Sequence, residues 1–358
     1  MYFRTIVFHD PMKPPLSPTT ACLRGLCIAL TTILALFPLL PLAAHAANDA
    51  AEFYRGKRLT YLVPTKPGGG YDTYARLIAK HLPKYLPVRA VQVRNVPGAS
   101  HLIGLRQLDA APADGLTLGT FNTGLIYAQI KGLEGMDVDL RRLGWVGKAS
   151  SDPKVLVVGR QAGLPGIESM RKPSRDLHVA SSGKASAASI EMNLIARALA
   201  LKVKPVYGFA GTEAELAIMR GDVDGMVGTY SSLRGFIEQG HGRILLKVGN
   251  APAELSAVAD LAALVTDATG RRIAQLIAAQ SSLGRLTATP ANVPADRLAV
   301  LRDAYRRTLD DAELRREAAT MKLPIVAMGG EEVSRLILSL LADQDALAPL
   351  LADLALSD

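Results

Sequence analysis

The residues of this 358-residue chain able to do covalent or metal chemistry are few, and their spacing supports neither. His81, His101, His178 and His241 form no H-E-x-x-H pair and no other ligand spacing. His9, His45 and both cysteines, Cys22 and Cys27, fall in an apolar leading segment. Ser100 beside His101 does not make a nucleophile and its base, and no G-x-S-x-G elbow occurs. Neither an enzyme nor a metal or cofactor site is therefore expected. Asp222 and Asp224 bracket a turn ahead of a strand, which needs no acid-base role. The chemistry left is non-covalent, and it centres on Gly68-Gly69-Gly70. Without Cβ atoms these residues reach φ > 0 and let a ligand come close, so free N–H groups at a helix start can face a carboxylate or phosphate. The loop is neither G-x-G-x-x-G nor a phosphate loop ending in G-K-[ST], so a glycine-rich turn without a ligand stays open as the alternative.

The elements around it read as strand, loop, helix. Leu59–Val63, closed by Pro64, suits a buried strand, and the Tyr74, Leu77, Ile78, Leu82 spacing suits one face of a helix. Asp72 is expected as an N-cap that accepts loop N–H groups, because a carboxylate would repel a bound anion. Tyr71 flanks the loop and could close over a cleft, whereas Tyr74 belongs to packing. The same logic recurs at Ala90–Arg94 with the turn Asn95–His101, and at Leu116–Phe121 with Asn122-Thr123-Gly124. Right-handed crossovers between parallel strands would bring these loops to one sheet edge. A domain crossover is expected near Ser150–Pro153, after the single tryptophan, Trp145. A second α/β unit follows: Val155–Val158, Leu177–Ala180 opening through Ser181–Ser186 onto a helix, then Val203–Tyr207 and Gly208–Thr212 onto another. Ile244–Val248 is the expected return crossover, and the remainder reads as mostly helical. Ser186 and Thr212 are each open to two roles, helix cap or ligand donor.

Length and composition suit two α/β domains, with aromatics at only 5% and Ala, Leu, Gly and Val abundant. Arg4, Lys13 and Arg24 precede an apolar run ending in Ala44-His45-Ala46, the small-x-small pattern of a signal-peptidase site. Residues 1–46 are therefore expected to be an export signal cleaved near Ala46, with an uncleaved anchor as the competing reading. The mature chain would hold no cysteine and reside in the periplasm. The formal charge of +8 is spread along the sequence, which argues against a nucleic-acid partner.

Read in order, Lys66–Asp72 with Ala75-Arg76, Asn95–Ser100, Asp114–Gly119, Tyr207–Thr212, Arg220–Gly225 and Pro294–Arg297 resemble the substrate-binding proteins of tripartite tricarboxylate transporters, the Bug family. The resemblance implies a two-domain periplasmic-binding-protein (Venus flytrap) α/β fold with a cleft between the domains. Expected boundaries are 47–147 with 248–358 for a discontinuous first domain, and 148–247 for the second. It also implies a monomeric receptor that holds a small organic acid through backbone N–H groups and hydroxyls rather than an arginine clamp, and passes it to membrane permease subunits. Carried over by position, the first-domain cradle is Gly68, Gly69, Gly70, Tyr71, Gly98, Ala99, Ser100, Asn122 and Thr123, and across the cleft lie Ser182, Ser186, Gly211 and Thr212. Ser189 stands where many members have a histidine after the second-domain helix start, which leaves the ligand undefined. A periplasmic sensor or interaction protein of the same fold, without a transport role, is the other function open at this point.

Overall fold

A computed structural model describes residues 49–184, 186–209 and 211–352. The expected export segment 1–46, with both cysteines, lies outside the described residues. From Ala50 onward the chain builds two sheets. In the first, β1 (Arg58–Val63) pairs in parallel with β2 (Ala90–Asn95) on one side and β3 (Thr117–Phe121) on the other. Helix α1 (Gly70–His81) crosses from β1 to β2 and packs on both, α2 (Leu102–Asp109) packs on β3, and α3 (Gly124–Lys131) follows β3. The alternating elements thus give the expected parallel core. Its strands end at one edge, where the three loops emerge.

The chain then runs through β4 (Leu143–Ser150) and the short link Ser151-Asp152-Pro153 into β5 (Lys154–Gly159), which belongs to the second sheet. There β6 (His178–Ser181), α4 (Ala187–Leu199), β7 (Lys204–Tyr207), α5 (Thr212–Arg220), β8 (Gly225–Thr229), α6 (Tyr230–Glu238) and β9 (Gly242–Val248) give the strand order β7-β6-β8-β5-β9. β6 is parallel to β7 and β8, while β5 is antiparallel to β8 and β9.

The expected return crossover at Ile244–Val248 is corrected by this pairing: the segment is the edge strand β9, held because Leu245, Leu246 and Val248 are buried. After α7 (Leu261–Leu264), α8 (Ala268–Ser281) packs on α4, β5 and β9, and only then does Ser282-Leu283 lead back into β10 (Gly284–Ala291) of the first sheet. β10 lies between β3 and β4, antiparallel to both, in a stretch the sequence pattern leaves to helix and turn. Its Thr-Ala-Thr run is weakly apolar, but small residues suit a strand covered on both faces. Buried Thr287 shares hydrogen bonds with Tyr61 (2.5 Å) and Tyr305 (3.0 Å), so its hydroxyl is satisfied. Helices α9 (Ala295–Asp310) and α10 (Ala312–Thr320), edge strand β11 (Met328–Gly329), α11 (Gly330–Ala342) and α12 (Gln344–Leu351) complete this part.

The two connections between the sheets are tied together. Asp152 N donates to Ser281 O (3.1 Å) and Ser151 Oγ to Ser282 O (3.1 Å), while Lys148 Nζ donates to Ser151 Oγ. Burial pushes the Lys148 ammonium down to about 8. No described helix is long and apolar enough to cross a membrane.

Candidate ligand-binding site

The first lobe presents three loops at the C-terminal ends of β1, β2 and β3. Gly68, at φ +87°, donates its N–H to Asp72 Oδ2 (2.9 Å). Asp72 also accepts from Arg76 Nε (2.9 Å) and Asn95 Nδ2 (2.9 Å), so it ties the glycine loop to α1 and β2. Burial alone would raise this carboxyl, but those three hydrogen bonds outweigh it and hold it below the ordinary carboxylate range. Asp72 therefore takes a loop N–H as expected, from within the first turn; the N-cap itself is Gly69, which offers no side chain. The first amides of α1 lack intrahelical partners, and the helix dipole makes this end attractive to an anion.

The second loop is strained. Gly98 sits at φ +132°, and Ala99, Ser100 and His101 follow at +42°, +48° and +85°, a left-handed turn that costs non-glycine residues about 1–2 kcal/mol each. His101 N donates within the turn to Gly98 O (3.0 Å), so the donors such a turn can turn toward an anion are its earlier N–H groups. The third loop locks onto it: Asn122 N donates to His101 Nδ1 (3.2 Å), and Asn122 Oδ1 accepts from Gly124 N (2.7 Å) at the start of α3. Thr123 is buried beside it. Burial lowers the His101 imidazole to about 4, so it is neutral near pH 7 with Nδ1 free to accept. Tyr71 packs edge-on against the same ring at 5.6 Å.

Across from these loops stand the helix starts of the second lobe. A Cβ on Gly183 would lie 3.0 Å from Ser100 Oγ, and one on Gly124 would lie 2.8 Å from Ala187 N at the start of α4. Lys66 in the glycine loop pairs with Glu213 in the first turn of α5 at 2.8 Å. Ser186 is buried as the N-cap of α4, accepting from Ser189 N (3.3 Å), donating to Gly183 O (2.7 Å) and sharing 2.8 Å with Ser181 Oγ. Its geometry is that of a cap. Ser182, Gly211 and Thr212 are exposed, and among the described residues none of them is hydrogen-bonded to the first lobe. Gly211, at φ +56°, is the residue before α5.

Arg285, in no motif of the sequence, reaches the same place. It is the second residue of β10, held at φ +59°, and 4% exposed. A Cβ on Gly70 would lie 2.7 Å from its Nη2 and 2.8 Å from Ser232 Oγ of α6. Nη2 donates to Ser232 Oγ at 3.0 Å, and the guanidinium lies over the rings of Tyr71 (4.4 Å) and Tyr74 (5.0 Å). A single charge inside an otherwise uncharged strand was the signal available in the sequence. Two other features lie apart. A hollow of about 740 Å³ beside Arg171–Leu177 and Leu201–Lys204 sits at the N-terminal ends of β6 and β7, opposite the loops. His81, Asp311 and Glu313 converge, but Lys84 already pairs with Asp311 (3.3 Å) and Glu313 (2.7 Å).

Two α/β lobes joined by two short links, with strand-end loops of one facing helix starts of the other, define the periplasmic-binding-protein class. The chain belongs to the tripartite tricarboxylate transporter receptor family, TctC, whose profile matches residues 74–349. A protein from the tcbD-tcbE intergenic region of Pseudomonas sp. strain P51 is 25% identical over 216 residues, 59% of this chain; the chain spans 61% of that relative's length. MatC from Rhodopseudomonas palustris, solved with bound malate, is 21% identical with a TM-score of 0.67, covering 81% of this chain and 99% of its own. An R. palustris protein solved with adipate is 17% identical with a TM-score of 0.67, covering 83% and 97%. The fold is shared with both.

Proposed function

We propose that this chain is an exported receptor that captures a small organic carboxylate between its two lobes and delivers it to the membrane permease of a tripartite tricarboxylate-type transporter. The observation that carries the reading is the convergence of α1's open N-terminus, the left-handed turn at Gly98–His101 and the Asn122–Gly124 loop on the starts of α4 and α5. Preorganised backbone donors of this kind suit a carboxylate, and a family of receptors with relatives solved with malate and adipate supports that ligand class. Gly68, Gly69, Gly70, Tyr71 and Gly98–Ser100, with Asn122 and Thr123, form the first-lobe side of the proposed pocket. Ser182, Ser186, Gly211 and Thr212 line the second-lobe side. The lobes in this proposal are 50–150 with 284–352 and 154–281, joined at Ser151–Pro153 and Ser282-Leu283. Ligand shifts the balance toward closure by binding the closed form more tightly. The protein acts in the periplasm as a monomer, after removal of residues 1–46, and carries out no covalent step. Mass spectrometry of natively purified protein tests it: a copurifying organic acid supports the reading, and loss of that acid from a Gly98→Val variant supports the pocket.

A further inference from the structure

We propose that Arg285 is the cation that pairs with the ligand's carboxylate, so that the pocket selects an anionic end group by charge as well as by backbone N–H donors. This rests on the receptor reading above. A guanidinium that is 4% exposed is costly to bury without a counter-ion, yet among the described residues no carboxylate comes within ion-pair distance of Arg285. Asp152 is the anion that acts on it from farther away, and its two oxygens accept from Ser231 N (3.1 Å) and Ser231 Oγ rather than from Arg285. The direct partners of Arg285 are Ser232, Tyr71 and Tyr74, all neutral, which fix the plane of the guanidinium without an ion pair. It abuts Gly70, where α1's dipole also favours an anion, so two independent sources of positive potential meet at one point. The left-handed backbone at φ +59° is a strain retained at this residue. A planar fork beside aromatic rings suits carboxylate more than a diffuse polar group.

The test compares the wild-type protein with Arg285→Asn and Arg285→Lys. Asn tolerates the left-handed backbone, so it removes charge with little penalty to the fold, and Lys keeps the charge. Calorimetry and thermal shift use malate, succinate, adipate and benzoate, with adipamide as an uncharged counterpart. The expected result is that Arg285→Asn weakens the bound acid by about 10- to 100-fold, the range of a charge-assisted hydrogen bond, leaves adipamide unchanged, and is partly rescued by lysine. Equal acid affinity in wild type and Arg285→Asn overturns the assignment alone, as does an equal loss of acid and amide. A wild-type protein that binds none of the acids overturns the receptor reading and this assignment together.

Discussion

Gly70→Ala puts the interlobe contact to a graded test. Gly70 opens α1 with an ordinary helical backbone, so alanine costs nothing in φ and improves helix propensity by up to about 1 kcal/mol. That gain acts equally in the open and closed forms, so it leaves the binding equilibrium untouched. The added Cβ, however, would sit 2.7 Å from Arg285 Nη2, 2.8 Å from Ser232 Oγ and 3.2 Å from Arg285 Cζ. Those distances force the guanidinium and the second-lobe serine apart, and the Nη2 to Oγ hydrogen bond at 3.0 Å breaks. Opening the lobes carries Ser232 away while Arg285 stays beside Gly70 in the first lobe, so the contact with Arg285 is felt in both forms and the share of the penalty that involves Ser232 falls on the closed form. A hydrogen bond to a charged group contributes about 1.5–3 kcal/mol, which places the loss of ligand affinity at roughly 10- to 150-fold. Calorimetric titration with the acid that stabilises the wild type reads this directly, beside the unliganded melting temperature, which should stay near the wild-type value. Affinity within twofold of wild type would refute the reasoning, since the contact would then not belong to the ligand-closed state.

Asp72→Ala removes the acceptor for Gly68 N–H, Arg76 and Asn95, and should lower unfolding free energy by about 2–3 kcal/mol in denaturant titrations at pH 7. The Asp72 carboxyl is held below its ordinary value, so its stabilisation is present at neutral pH and fades as pH falls through that lowered value; the variant's deficit should shrink in acid. His101 is lowered from 6.5 to about 4, so between those values the unfolded chain binds more protons and stability falls as pH drops from 6.5 toward 4. His101→Asn, which suits the φ of +85° and can still accept from Asn122, should flatten that part of a melting-temperature profile. Lys148, lowered from 10.5 to about 8, is cationic when protonated like His101 and gives the same sense of slope: stability should rise as pH climbs from 8 to 10.5. Lys148→Met should raise the melting temperature at pH 7 and abolish that rise.

Local signals in the sequence carried the loops of the proposed cradle and left their setting open. The glycine loop, the Asn95–His101 turn and the Asn122 loop were legible because glycine, proline and small polar residues interrupt apolar runs, and parallel βα units force their loops to one edge. Ser186 was legible only as a helix cap or a ligand donor, because either role suits a hydroxyl before an apolar helix, and its hydrogen bonds are those of a cap. β10 was not legible, because a strand covered on both faces by sheet and helices can be built from Thr and Ala with little hydrophobic signal. The return crossover was misplaced for a related reason: Leu245-Leu246 announces a buried strand but not which sheet receives it, and that choice rests on pairing with β5. Arg285 and Ser232 come from opposite lobes and meet only through the hinge, so no spacing in the chain connects them with Gly70.

The central claim is that a small carboxylate is held between the lobes. Titrating purified residues 47–358, stripped of copurifying acid, with malate, succinate, adipate and benzoate in a calorimeter is the direct test. One saturable site is expected for at least one acid, with thermal stabilisation of about 2.7 kcal/mol at a hundredfold excess over Kd. No heat and no stabilisation from any of the four would contradict it.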